Sequence, residues 1–221
     1  MPRQPFLPTF SHLEYAFGAL ALNNRPELAS AIGRCITIWS QADSEMAKLF
    51  DTLFGTNNKI SLEVFLILRN SANQREALKA AAEIRLKGEN YLFFEALMSL
   101  YKSLESERNA LAHGCFGVAA NDLDVLFWID TRNHVQFQTD IYTKIAHGDK
   151  ITDPHEHLKQ NMYVYQLSDL NTLQYEMSQF WDATMSFNSY LKFNSDPHQL
   201  KVFNRIQKLP LIQAALHELR S

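Results

Sequence analysis

The segment between Pro26 and Gly55 sets the strongest constraint on what this chain can fold into. Ile32, Ile36, Trp39, Met46, Phe50 and Leu53 recur at spacings of three, four and seven, which lines them along one side of an α-helix. Pro26 has the backbone angle of a first helical turn, and Gly55 followed by Asn57-Asn58 supplies a stop. A helix of that length, roughly 40 Å, carries an apolar stripe that only other elements can cover. Seven glycines and seven prolines in 221 residues leave room for further long elements with few turns.

The remaining periodicities follow suit. A short helix is expected after Ser11, fading near Asn23-Asn24. Further helices are expected from Ser61 to about Arg69, from Asn73 to Lys87 and from about Leu92 to His113, the last capped by Gly114. Beyond Gly114 the period changes to two. Leu123, Val125, Phe127 and Ile129 alternate with other residues, as do Val135, Phe137, Thr139 and Ile141, and Asp130-Thr131-Arg132-Asn133 between them suits a turn. This pattern predicts an antiparallel hairpin. A polar loop over 143–161 leads to a third strand, Met162 to Leu167. Ser168 can then cap a long helix bearing Leu170, Leu173, Met177, Phe180, Trp181, Met185 and Leu191. Asp196-Pro197 restarts a helix, and Pro210 either starts or interrupts the last one. With no repeat, low-complexity tract or linker, the expectation is a single, mainly α domain over 1–221. It comprises an N-terminal extension (1–25), the first bundle helices (26–114), a small antiparallel β-hairpin or three-strand insertion (about 115–167) and C-terminal helices (168–221).

Hydrophobic content of 46% and charged content of 20% describe a globular chain rather than a disordered one. The net charge of −3 provides no global attraction for nucleic acid, so any such binding has to come from a local patch. Cys35 and Cys115 lie in different elements, and without an export signal in MPRQPFLPTF they are expected to be free thiols. The longest apolar run, Val64 to Leu68, is far too short to span a bilayer, and a cytoplasmic location is expected.

Within ESERNALAHGCFG, Arg108 stands four residues after Leu104 and three before Leu111, in line with a stripe formed by Leu97, Leu100, Tyr101, Leu104 and Leu111. A guanidinium keeps its charge, so its burial demands a carboxylate or an anionic ligand, of which phosphate is one. Asp43, four residues after Trp39 and three before Met46, also falls on a core stripe. Two readings stay open for it: a pair with Arg108, or a place facing solvent at the stripe edge. At about 100° per residue, Arg108 and His113 lie about 140° apart around an ideal helix, whereas Asn109 and His113 share a face. Convergence of Arg108 and His113 requires a distorted helix end, an arginine that reaches around, or a second chain.

The Arg108-x4-His113 spacing, with a polar residue after the arginine and a glycine after the histidine near the end of a long helix, resembles the signature of the HEPN superfamily. The helix with Trp39, Asp43 and Met46 is similar to the first helix of those bundles. The resemblance covers roughly 26–114 and the helix after 168. It implies a metal-independent endoribonuclease without cofactors, acting on RNA as a homodimer whose two motifs form one composite site. Such proteins often belong to toxin–antitoxin or phage-defence systems and are restrained by an antitoxin or another regulatory protein. It equally implies an alternative, a non-catalytic module binding nucleotides or a protein partner. On the catalytic reading His113 is general base or acid, Arg108 clamps the phosphate, Asn109 orients the histidine or touches the phosphate, and Asp43 aims Arg108.

Three weaker signals accompany the motif. Asp153, His155, Glu156 and His157 have the composition of a metal patch, but in a polar loop without spaced cysteines they fit a solvated segment better. Arg69, Arg75, Lys79, Arg85 and Lys87 form either an RNA-facing surface or, with Glu76 and Glu83 interspersed, an ordinary solvated face. Phe127, Trp128, Tyr163 and Tyr165 are either base-stacking aromatics or cover for the bundle or a partner.

Overall fold

The first long helix runs as its stripe demands. In a computed structural model, which describes residues 3–55, 59–119, 121–148, 156–193 and 196–220, α1 spans Pro26–Phe54 and buries Ile32, Trp39, Met46, Phe50 and Leu53. It is followed by α2 (Lys59–Ile67), α3 (Ser71–Arg85) and α4 (Glu89–His113). After the strands come α7 (Leu167–Lys192), α8 (Pro197–Ile206) and α9 (Pro210–Arg220), so Pro210 begins the last helix. Asn70 and Asp196 cap α3 and α8 by accepting from the amides of Ala72 and His198 at 2.8 Å each.

The chain resolves into two compact units, Met1–Ile36 with Glu107–Gln174 and Thr37–Ser106 with Tyr175–Ser221. Helices α1, α4 and α7 contribute a stretch to each. The all-helical unit is organised by aromatic packing. The Trp39 and Tyr101 rings stack at 5.1 Å, and Phe180 lies 6.2 Å from Trp39 and 6.0 Å from Tyr101. Phe93, Phe187, Tyr190 and Phe203 form a second aromatic group. On α7 the buried line is Met177, Phe180, Ala183, Thr184 and Phe187, whereas Met185 is exposed.

The other unit holds a five-stranded antiparallel sheet in the order β1-β5-β4-β3-β2. The strands are β1 (Gln4–Pro5), β2 (Tyr15–Phe17), β3 (Cys115–Ala119), β4 (Val125–Ile129) and β5 (Met162–Gln166). Phe6, Phe10, Val125, Phe127, Met162 and Val164 form its buried cluster, with Tyr15 and Phe17 packed against it. Every residue of the central strand β4 is buried.

Three expectations for this unit are corrected. The segment after Ser11 is not a short helix: Tyr15–Phe17 pairs with Gly117–Ala119, and i→i+3 turns follow it, such as Ala21 N–H to Gly18 C=O. The sheet therefore extends beyond the 115–167 insertion, because two N-terminal strands flank it. The expected second hairpin strand is instead α5 (Thr131–His147), and β4 pairs with β3 and β5. The reason is capping. Asp130 accepts from the amide of Arg132 at 2.8 Å and starts a helix where a turn was expected, and Gly148 closes it at φ 72°. Asn133, His134, Phe137 and Ile141 supply its half-buried face at spacings of three and four. Of the polar loop expected over 143–161, residues 143–147 belong to α5 and Glu156–Lys159 forms the short α6.

Tyr101 gives the helical unit a measurable pH dependence. It is buried, and its hydroxyl donates to Asp43 Oδ1 at 2.5 Å. Burial first, then the Asp43 charge, push its phenol well above the ordinary tyrosine range. An unfolded tyrosine ionises near pH ~10, so this stabilisation is complete below that pH and is lost as pH rises beyond it. Urea unfolding of Tyr101→Phe should show a loss of about 1 kcal/mol at neutral pH and a shallower alkaline decline than the wild type. Parallel alkaline profiles would contradict the assignment.

Candidate functional site

The end of α4 is braced from β4. Trp128 Nε1 donates to the carbonyl of Ala110 at 2.8 Å, and the Gly114 amide donates to the same carbonyl at 3.0 Å. The hydroxyl of Thr131, first residue of α5, donates to the carbonyl of His113. The sheet unit thus meets the open carbonyl of His113 and gives that of Ala110 a second donor. Gly114 is required here by contact rather than by a left-handed cap. A Cβ at this position would lie 1.7 Å from Trp128 Nε1.

On this platform Asn109 and His113 are exposed, and Arg108 is half-buried. The stripe of Leu97, Tyr101, Leu104 and Leu111 is buried, so Arg108 marks its margin. The deeply buried charges of α4 are instead Glu105 and Glu107. Glu105 pairs with Arg75 in the helical unit, and Glu107 lies 4.0 Å from Arg3 Nε in the sheet unit. Arg3 also sits over the rings of Trp128, at 4.3 Å, and Tyr163, at 5.2 Å. Next to this group burial raises the Tyr165 phenol, an effect that the Arg3 charge opposes. Reading by stripe missed the Arg3 site. Its one visible signal was the aromatic strand residues that now hold the cation.

Asp43 is exposed as a residue and accepts from Tyr101, its partner within the helical unit. Arg108 belongs to the sheet unit. Of the basic residues singled out between Arg69 and Lys87, Arg75 is held by Glu105 and Lys79 lies 4.0 Å from Glu95. Arg85 covers Gly55, and Arg69 is exposed. Phe127, Trp128 and Tyr165 are buried and serve as sheet core, with Tyr163 half-buried. Asp153 and His155, with the side chains of Glu156 and His157, lie outside the described residues. Among the described residues no group of three metal-ligating side chains gathers.

A cavity of about 440 Å³ opens beside the end of α4 within the sheet unit. Gly114, Cys115 and Phe116 line one side, and Phe17, His134 and Gln138 line another. The rings of Phe17 and His134 meet at 5.5 Å and 43°. Both cysteines are free. Cys115 is half-buried in this cavity, while Cys35 is fully buried and burial pushes its thiol up to about 11.

No helix among the described residues is long and apolar enough to cross a membrane. No protein-family model, curated protein or solved structure is similar enough to this chain to show kinship.

Two measurements test this geometry. Gly114→Ala should lower stability by about 2 kcal/mol or more in denaturant melts, because the indole must move for the methyl to fit; an unchanged midpoint would be incompatible with the Trp128 contact. At pH 8 an aromatic disulfide reagent should modify Cys115 rapidly and Cys35 only on unfolding. Two thiols reacting at one rate would contradict the burial assigned to them.

Proposed function

We propose that this chain is a cytoplasmic, metal-independent endoribonuclease of HEPN type that acts as a homodimer with a composite site. Its setting on this reading is a toxin–antitoxin or phage-defence system, where a second protein restrains it. The observation that carries the proposal is the braced end of α4, which presents an exposed His113 and Asn109 beside a half-buried Arg108. A helix end fixed on two of its carbonyls holds these groups in one position, which positional catalysis needs.

The chemistry follows from the residue types. His113 accepts the proton of a ribose 2′-hydroxyl as its oxygen attacks the adjacent phosphorus. The P–O5′ bond breaks, and a second imidazole, that of the other copy, returns a proton to the leaving 5′-oxygen. The products are a 2′,3′-cyclic phosphate and a 5′-hydroxyl end. Arg108 neutralises charge on the non-bridging oxygens, and Asn109, one turn before His113, orients the imidazole or contacts the phosphate. A two-fold arrangement supplies each group twice and answers the separation of about 140° between Arg108 and His113 around one helix. That same separation is what favours the second reading, a non-catalytic module that binds nucleotides or a partner protein.

Purified His113→Ala and Arg108→Ala should each lose about a hundredfold or more in RNA cleavage while keeping their melting temperatures, with Asn109→Ala less affected. Adding excess His113→Ala to the wild-type protein should depress cleavage further than dilution does, because hybrid dimers hold one imidazole where the reaction uses two. Cleavage by His113→Ala at the wild-type rate would end the catalytic reading and leave the binding module.

A further inference from the structure

We propose that the cavity beside the end of α4 receives a single unpaired nucleobase of an RNA strand. The inference deepens the ribonuclease reading above, on which it rests, by assigning a base subsite to the same helix end.

Size, lining and position support it. At about 440 Å³ the cavity falls within the roughly 300–1,000 Å³ of small-molecule sites. Among the described residues no lysine, arginine or carboxylate lines it, so the group it suits is neutral rather than a phosphate. Its walls carry the aromatic rings of Phe17, Phe116 and His134, all half-buried, and flat rings are what unstacked bases pack against in single-stranded RNA recognition. Gln138 adds a carboxamide with both donors and an acceptor, the complement of a base edge. Gly114 and Cys115, which follow the motif directly, are part of its lining. His113 and Gly114 are adjacent residues, with α-carbons about 3.8 Å apart. A base lodged here therefore leaves its ribose and phosphate at the end of α4, where Arg108, Asn109 and His113 are presented. The division of labour is chemical: the cavity takes the neutral ring, and the helix end takes the charged backbone.

The test is a binding measurement that requires no cleavage. Full-length His113→Ala protein is titrated with AMP, GMP, CMP and UMP, with ribose 5-phosphate, and with short RNA oligonucleotides. Saturation-transfer NMR reads which ligand protons are buried, and calorimetry reads affinity. At least one mononucleotide should bind with its base protons most strongly saturated, ribose 5-phosphate should not bind measurably, and an RNA oligonucleotide should compete and bind more tightly. Ala19→Trp, which adds an indole at an exposed lining position, should weaken binding about tenfold or more with an unchanged melting temperature. Gln138→Ala should weaken it several-fold without altering the fold. Binding that survives Ala19→Trp unchanged, or no binding by any nucleotide or oligonucleotide, would overturn the base subsite. Mononucleotide binding with which RNA fails to compete would overturn it in favour of a free-nucleotide site. The two proposals fail separately. Base binding as described, in a protein whose His113→Ala variant cleaves normally, sinks the catalytic reading alone. Wild-type cleavage that Ala19→Trp and Gln138→Ala leave untouched in rate and base preference sinks the base subsite alone.

Discussion

The hydrogen bond from the Trp128 indole to the carbonyl of Ala110 is the contact on which the candidate site depends. An indole N–H is a donor only, and burying it without a partner costs on the order of 1–3 kcal/mol. The Ala110 carbonyl, which already accepts from the Gly114 amide, offers the indole a second lone pair at the end of α4. The contact also explains Gly114, since the ring crosses the space a side chain would fill. Because Trp128 is on β4, the central strand of the sheet, the motif's position is set by the best-buried strand of the unit rather than by a loop.

Charge on α4 is arranged differently from what its apolar stripe implies. A cation in line with buried leucines suggests a buried guanidinium in search of an anion, yet the residues that disappear from solvent are Glu105 and Glu107. Each has an arginine from elsewhere in its own unit, Arg75 or Arg3. A carboxylate has a short side chain and cannot reach back to water, so once its position is covered it must be paired. Arginine has a long apolar stem and can lie across a stripe margin with its head toward solvent. The intermediate exposure of Arg108 fits that behaviour.

The helices were legible in the sequence, and the sheet was legible only in part. Helix α1 ends where Pro26 and Gly55 place its limits, because a stripe nearly thirty residues long with terminators at both ends has no competing interpretation. Strands β1 and β2 have two and three residues, too few for alternation to register, and they exist only because β5 and β3 lie beside them. The segment after Ile129 failed for a different reason. Asp130-Thr131-Arg132-Asn133 is good chemistry for a turn and for a helix start alike, and Phe137 and Ile141, four apart, satisfy both periods over so short a window. Gly148, eighteen residues on, was the discriminating signal, since a left-handed glycine closes a helix of that length. That error concealed the cavity as well. With 131–147 taken as turn and strand, nothing placed His134 and Gln138 opposite Cys115.

Electrostatics decide how such a site would hold RNA. A chain with net charge −3 receives little help from its overall field, and two of the cations on α3 are already engaged by carboxylates of α4. Arg108 alone is a small electrostatic foothold on a polyanion, and counterion release from one or two phosphates yields only weak, salt-sensitive association. Binding worth having must then draw on contacts that salt does not screen. An aromatic-walled, uncharged cavity next to the motif supplies contacts of that kind, through stacking and exclusion of water. A dimer doubles both contributions along one strand, and tethering two weak sites raises their combined affinity without any new chemistry. Two-fold assembly, which the proposed mechanism invokes to bring Arg108 and His113 together, would thus also help a chain of net charge −3 to hold RNA.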